Sequence, residues 1–250
     1  ISCALFALRL NRRAHAKPKV LIFYFLYHNL FALSLKSILL CLIFRFSPID
    51  RILISDPALP LRSRISHRLI KNFLAYVCDP CSFVEAPSSR NASQFQIDFG
   101  IEPGSIVIAC PGLLNKKKAI DHLVNALISA DLDRLRPISF LLAGKLDPDL
   151  ESIYCDPIQR LQAQGIIISH FRYLSNSELA SLISFSDATW CVQGSFSGSS
   201  GIFSKSCFAG TIPITASDTT IGRVSEKYGF GYCIDLNFMP ESLYELRNFL

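Results

Sequence analysis

From Ser105 onward, short and continuous apolar runs alternate with amphipathic stretches, and this alternation constrains the fold more than any other feature. The apolar runs are Ser105–Cys110, Ile138–Ala143, Ile166–Ser169, Ala188–Val192 and Ile212–Ala216. The intervening segments predict helices at residues 119–127, 149–164, 204–209, after the Ser175 capping box and after Pro240. Strands without polar alternation are buried on both faces, which is typical of a parallel sheet covered by helices. We therefore predict an α/β fold.

Ligands of open parallel sheets bind outside the carboxyl ends of the strands. The loops that leave the predicted strands are therefore the candidate binding loops. They span residues 111–118, 144–148, 170–177, 193–203 and 217–223.

The loop after the fourth of these runs has an unusual composition. The sequence GSFSGSSGIFSKSCFAG, residues 194–210, contains four Gly, six Ser and no acidic residue. Small residues at a helix start expose backbone N–H groups, which favour anions. We predict that Ser199, Ser200, Gly201 and Ile202 bind a phosphate, and a slack surface loop remains the alternative.

The loop after the first run carries three consecutive lysines. Gly112 begins it, and Lys116, Lys117 and Lys118 end it where a helix is predicted to start. Lysine ammonium groups at this edge could neutralise a diphosphate as point charges. A solvated charged turn is the alternative interpretation of this loop taken alone.

Composition excludes several classes of function. The net charge of +5 is mild, and no basic stripe with interleaved aromatics is present, so we expect no nucleic-acid partner. Nine cysteines scattered singly favour a reducing, cytoplasmic compartment. The sequence shows no metal-ligand cluster and no Gly-x-Gly-x-x-Gly, so we expect no metal and no cofactor.

The amino-terminal third differs from the rest. Residues 20–46 are almost wholly apolar and predict a helix that is buried or lies on a membrane surface, because Lys36 and His28 would be costly inside a bilayer. Residues 85–100 are rich in Ser, Asn and Gln. We therefore predict a linker at 85–102 between a first domain, residues 1–84, and a second domain, residues 103–250.

The order of motifs resembles the donor-binding half of a GT-B glycosyltransferase of the retaining group 1 type. The motifs that carry the resemblance are GLLNKKKAIDHLVNAL, FLLAGK, FRYLSNSELASLISFSDATWCVQ, SSGIFSKSCFAGTIPITASD and KYGFGYCID. The resemblance covers about residues 75–250. It implies two Rossmann-like domains in the whole enzyme, with residues 1–84 as the carboxyl-terminal remnant of the first and with the end of the second beyond Leu250.

The resemblance also implies roles for individual residues. Lys118 stands where the family binds the donor diphosphate, together with Gly112 and the loop at Ser199, Ser200, Gly201 and Ile202. Arg172, Tyr173 and Leu174 form the loop that would bracket the base. No catalytic residue is implied within this sequence, and a lysine-bound diphosphate needs no divalent metal.

Two positions depart from the family pattern. Many members carry two Glu residues eight positions apart, where this chain has Ser197 and Lys205. The second Glu usually binds the donor ribose, and Lys205 at that donor-binding position cannot accept those hydrogen bonds. The resemblance implies transfer of a sugar from a nucleotide-diphosphate sugar to an unidentified acceptor. A catalytically inactive GT-B-like scaffold, in peripheral membrane contact through residues 20–46, is the main alternative, and a sugar-nucleotide epimerase is the third.

Overall fold

The chain divides into two compact units in a computed structural model, one within residues 1–79 and one within residues 80–196 and 200–250. The structure describes residues 92–194 and 200–250 continuously. Before residue 92 it describes only short pieces, at 20–23, 38–39, 42–43, 45–46, 51–54, 72 and 74–76. The predicted domain limits at 84 and 102 stay predictions.

The first unit contains a three-stranded parallel sheet. Its strands, in spatial order, are β1 (Val20–Phe23), β2 (Arg51–Ile54) and β3 (Leu74–Tyr76). The prediction of one helix over residues 20–46 is wrong at its start, because a short apolar run such as VLIF suits a buried strand as well as a helix.

The second unit contains a six-stranded parallel sheet. Its strands are β4 (Ile106–Pro111), β5 (Ile138–Ala143), β6 (Ile167–His170), β7 (Ala188–Trp190), β8 (Ile212–Ala216) and β9 (Tyr232–Ile234). The spatial order is β6-β5-β4-β7-β8-β9, and every pair is parallel. This is the strand order of a doubly wound, Rossmann-like sheet, and it confirms the predicted fold class.

Seven α-helices are described in this unit. They are α1 (Ala92–Phe99), α2 (Ile120–Ser129), α3 (Pro148–Ala163), α4 (Asn176–Phe185), α5 (Gly201–Ala209), α6 (Thr220–Tyr228) and α7 (Met239–Phe249). None of the helices among the described residues is long and apolar enough to cross a bilayer.

The helices cover both faces of the sheet because alternate strand residues point to opposite sides. Ile108, Phe140 and Trp190 pack on one side against the apolar stripes of α2, α3 and α7. Val107 and Leu141 pack on the other side, against α1 and α4. The strands are therefore buried twice, as their unbroken apolar runs predict.

Helix α1 lies inside the segment predicted as a linker. Its Phe95 and Phe99 are buried against Leu182 and the sheet, with the two rings 4.9 Å apart. These two aromatic side chains, four residues apart, anchor the otherwise polar segment to the second unit. The average composition of the segment gives no sign of this packing.

Candidate functional site

The candidate site begins at the point where the sheet reverses its direction of winding. Chain order runs outward from β4 through β5 to β6 on one side and from β7 through β8 to β9 on the other. Strands β4 and β7 are neighbours with only two paired positions, Ile108 with Ala188 and Ala109 with Thr189. A crevice at their carboxyl ends is the usual ligand position in such sheets.

The loop after β4 folds into a tight turn, residues 115–118, that we call the lysine turn. Asn115 Oδ1 accepts a hydrogen bond from the Lys118 amide at 3.2 Å and caps a 3₁₀ turn over Lys116–Lys118. Ala119 then takes a left-handed conformation with φ of 51°, and α2 begins. The chain therefore turns back at Lys118, beside the end of β4.

The Lys118 side chain enters the crevice, whereas Lys116 and Lys117 are exposed. The Lys118 ammonium donates to the carbonyl of Pro111, the last residue of β4. A Cβ atom at Gly112 would lie only 2.9 Å from Lys118 Nζ. Gly112 has a φ of 91°, which favours glycine, and it lies beside the lysine, so the sequence-predicted pair Gly112 and Lys118 is brought together.

The electrostatic surroundings of Lys118 are unusual for a lysine. Burial lowers the pKa of Lys118 from its ordinary value. Two neighbouring thiols provide no counter-charge, because burial raises the pKa of Cys110 and brings that of Cys191 to about 12. The lysine is a partly desolvated cation whose hydrogen-bond partner is a neutral carbonyl. An anion that enters the crevice would therefore be stabilised by electrostatic attraction to Lys118.

The start of α5 supplies hydrogen-bond donors on the β7 side of the crevice. The Ser200 side chain accepts a hydrogen bond from the Phe203 amide at 3.3 Å and caps the helix. Gly201 and Ile202 occupy the first helical positions, where amides have no carbonyl partner within the helix. Among the described residues, no atom would come within 4 Å of a Cβ at Gly201.

The remaining residues of the predicted phosphate loop have different roles. The Ile202 side chain packs against the cluster of Cys191, Phe203 and Ile221, so only its backbone is available to a ligand. Lys205 lies in the middle of α5 and is half-buried. Ser199 and the departing position Ser197 lie outside the described residues.

The loop after β6 holds the predicted base-binding residues. Tyr173 is 86% exposed, and the Leu174 side chain packs with the cluster on the α1 face. Arg172 forms an ion pair with Glu178 of α4 at 2.6 Å and donates to the Tyr173 carbonyl at 3.2 Å. The hydrogen bond from Arg172 is the main cause that lowers the pKa of Glu178 to about 2.

This loop is separated from the crevice along the sheet. Strand β6 is three strands from β7, a span of about 14 Å at the usual spacing between strands. The loops after β4 and β5 bridge part of that span, because Gly144 lies so close to Gly112 that a Cβ on it would be 1.9 Å from the Gly112 carbonyl oxygen. One extended ligand is needed to contact both ends.

Sequence reasoning missed two residues that hold the lysine turn. Trp190 Nε1 donates to the Lys118 carbonyl at 2.9 Å, and the Gly194 amide donates to the Lys117 carbonyl at 2.9 Å. A signal existed for the tryptophan, since a buried indole N–H needs a partner and β7 was predicted to be buried. The glycine has no comparable signal beyond its place in a Gly/Ser loop.

Three other titratable residues of the second unit are held away from the lysine turn or face solvent. His122 is exposed on α2. His170 packs edge-on against Phe99, with ring centroids 4.9 Å apart. Asp187 accepts from the Val107 amide at 2.7 Å, which ties the start of β7 to β4 at the opposite edge of the sheet.

Two of the clefts formed by the described residues of the second unit are not lined by the lysine turn. One, of about 500 Å³, lies between α1 and α4 and includes Phe99, Arg172 and Glu178. The other, of about 420 Å³, lies at the amino edge of the sheet near Gly104, Arg136 and Gly165. Within the described part of the chain, no three His, Cys, Asp or Glu side chains gather as a metal site would require.

Comparison with known proteins identifies the fold. The sequence matches no protein-family model and no curated protein. The structure is similar to that of HepE from Anabaena in complex with UDP-glucose, with a TM-score of 0.65 at 11% identity over 99% of this chain and 65% of HepE. The chain therefore spans about 65% of the length of that neighbour.

Two further solved structures are similar. They are OtsA (TM-score 0.66, 10% identity, 97% of this chain and 62% of OtsA) and WaaG, a glycosyltransferase involved in lipopolysaccharide biosynthesis (TM-score 0.59, 11% identity, 99% of this chain and 72% of WaaG). The expected GT-B glycosyltransferase fold is confirmed.

Proposed function

We propose that this chain carries the donor-binding half of a glycosyltransferase that transfers a sugar from a nucleotide-diphosphate sugar to an acceptor not yet identified. The proposal rests on two anion-suited features that follow neighbouring strands: the Lys118 ammonium beside the end of β4, and the start of α5, which follows β7 along the chain. The HepE structure, whose fold this chain shares, contains UDP-glucose.

The proposed chemistry follows from the charge that develops during transfer. As the glycosidic bond breaks, negative charge grows on the departing diphosphate. The Lys118 ammonium and the amides of Gly201 and Ile202 would stabilise that charge, and preformed donors are effective because they need no reorganisation. The retaining course of the reaction is part of the proposal.

The rest of the donor would extend along the sheet edge toward β6. The exposed ring of Tyr173 offers an aromatic face for a base, and the ion pair between Arg172 and Glu178 would hold the loop in place. Lys205 would meet the ribose side of the nucleotide. Lys118 supplies the positive charge, so we expect transfer to proceed unchanged when EDTA is present.

The test is calorimetric titration of the 250-residue protein with UDP and UDP-glucose, then with GDP and ADP. Lys118→Ala is compared with Lys117→Ala, its exposed neighbour. We expect Lys118→Ala to weaken binding by about 1–3 kcal/mol, the loss of one charge-assisted contact, and Lys117→Ala to have little effect. A folded protein that binds none of these nucleotides would refute the proposal.

One observation favours a second function, that of a GT-B-like binding or scaffold protein. Lys205 stands in α5 where the resemblance to the GT-B family implies a ribose-binding Glu, and a lysine cannot accept the ribose hydroxyl hydrogen bonds. The two functions separate in one assay. A scaffold binds the nucleotide sugar without releasing UDP, whereas an enzyme releases UDP in the presence of acceptor or, slowly, of water.

A further inference from the structure

We propose that Trp190 is a positioning residue, which together with Gly194 fixes the lysine turn across the crevice and so sets where the Lys118 ammonium meets the diphosphate. The inference rests on the proposed function. It adds two residues that contact neither phosphate nor sugar in that proposal but act through Lys118.

The need for such a tie follows from the sheet. The ladder between β4 and β7 ends at Ala109 and Thr189, yet β4 continues to Pro111. Beyond Thr189, Trp190 pairs with Ile214 of β8. The two strand ends that border the crevice are therefore not joined by their own ladder, and Lys118 projects into the space between them.

The Trp190 indole spans this space. The side chain is only 1% exposed and packs edge-on against Phe140, with ring centroids 6.2 Å apart and planes at 83°. Its single N–H donates to the Lys118 carbonyl at 2.9 Å. Because the ring is held by packing, the carbonyl that it binds is held at a defined height above the sheet.

Gly194 adds a second tie directly beside the first. Its amide donates to the Lys117 carbonyl at 2.9 Å, and a Cβ placed on it would lie 3.3 Å from the Lys116 carbonyl oxygen. The carbonyls of Lys117 and Lys118 thus accept hydrogen bonds from residues that follow or belong to β7, while Asn115, within the turn, accepts from the Lys118 amide. The peptide planes on either side of Lys118 are fixed.

The consequence concerns the geometry of the lysine. With the backbone of Lys118 fixed, its side chain leaves the turn toward Pro111. The side chains of Lys116 and Lys117, in contrast, are exposed to solvent. Releasing the turn would let Lys118 move toward water and away from the ligand. Trp190 would therefore control both the hydration of Lys118 and its contact with the diphosphate.

The experiment compares Trp190→Phe, which keeps a buried aromatic ring but removes the N–H, with Tyr232→Phe. The control also removes a side-chain donor of this unit, the Tyr232 hydroxyl that binds Glu245 at 3.3 Å, without approaching the turn. The second variant is Gly194→Ala, whose added methyl group would crowd the Lys116 carbonyl and so disturb the hydrogen bond from Gly194 to the turn. Two quantities are measured: UDP affinity, and the Lys118 titration by NMR after isotopic methylation of lysines.

We expect Trp190→Phe to weaken UDP binding about two- to tenfold, the effect of one lost hydrogen bond, and to move the Lys118 titration toward that of a free lysine. Gly194→Ala should move both readouts in the same direction, and Tyr232→Phe neither. If folded Trp190→Phe and Gly194→Ala leave the titration of Lys118 unchanged, the positioning role is wrong. If wild type binds no UDP but the titration moves, the proposed function fails while the tie itself stands.

Discussion

At the scale of single residues, Lys118 is the group in which stability and function oppose each other. Its charge is partly buried beside two neutral thiols, and burial lowers its pKa. A residue chosen only for stability at this place would be apolar. The retained charge is what a binding site for an anion requires.

This opposition predicts a pH dependence of stability. The folded protein binds fewer protons than the unfolded chain between the lowered pKa of Lys118 and its ordinary value of 10.5. Burial of Lys118 therefore costs no electrostatic stability above 10.5, where the side chain is neutral in both states. The cost of the buried charge appears, and stability is lost, as pH falls through the folded pKa. Urea unfolding at several pH values should show wild type gaining stability relative to Lys118→Met as pH rises. A constant difference across that range would contradict the assignment.

Gly201 gives a prediction on binding without a cost in folding. No described atom lies within 4 Å of the place of its Cβ, and its φ is not in the left-handed region, so Gly201→Ala should fold with a stability within about 0.5 kcal/mol of wild type. A methyl group at the start of α5 would keep a phosphate away from the amides. We expect UDP affinity to fall about tenfold by calorimetry. Ser152→Ala, on the exposed side of α3, is the control, and equal affinities for both variants would exclude a ligand at this helix end.

At the scale of elements, the start of α4 combines a helix cap with the candidate base loop. Ser175 accepts from the Glu178 amide, and Glu178 accepts in return from the Ser175 amide at 2.9 Å. Glu178 also binds Arg172, which belongs to the loop before the helix. The capping box was predicted from sequence and is confirmed, but the ion pair that extends it to the loop has no local sequence signal.

Acid titration tests this element. The Arg172 hydrogen bond and the Ser175 amide lower the pKa of Glu178 from 4.5 to about 2. The stabilisation by Glu178 is therefore present above 4.5 and is lost as pH falls toward 2. Glu178→Gln keeps an acceptor for the cap and removes the charge. Between pH 4.5 and about 2, the variant should lose about 0.5–1 kcal/mol less stability than wild type. The difference is small because both side chains of the ion pair are partly in water. An unchanged acid transition would show that the ion pair contributes nothing.

The elements also show which parts of the fold are local. The strands β4, β5, β6, β7 and β8 were predictable because each is an unbroken apolar run between turn signals. The strand β9 closely follows helix α6, and only Gly229 and Gly231 mark a turn between them. No separate strand was predicted there. The run at Val20–Phe23 was assigned to a helix because periodicity cannot separate a short buried strand from a helix.

The candidate site shows the same limit. Gly112, Lys118, Ser200 and Gly201 could be proposed from the sequence because each loop separately has the composition of an anion site. The contribution of Trp190 depends on β4 and β7 being neighbours, which is a property of strand order and not of either segment. Hydrogen bonds between residues 72 positions apart are set by topology, so no local pattern contains them.

At the scale of the whole molecule, the central claim is that a nucleotide-diphosphate sugar lies along the carboxyl edge of the second sheet. The two clefts described above provide the alternative locations, one between α1 and α4 and one at the amino edge. The fold shared with HepE is compatible with many ligands in other places, so location has to be measured directly.

The most direct measurement is hydrogen exchange of the chain with and without saturating UDP. We predict slower exchange of the amides in residues 112–118 and 200–203, with a smaller effect at 172–174, and no change near Gly104, Arg136 and Gly165. In Lys118→Ala the same pattern should require more UDP. Protection confined to the amino-edge cleft, or binding without protection of the lysine turn and the start of α5, would contradict the account.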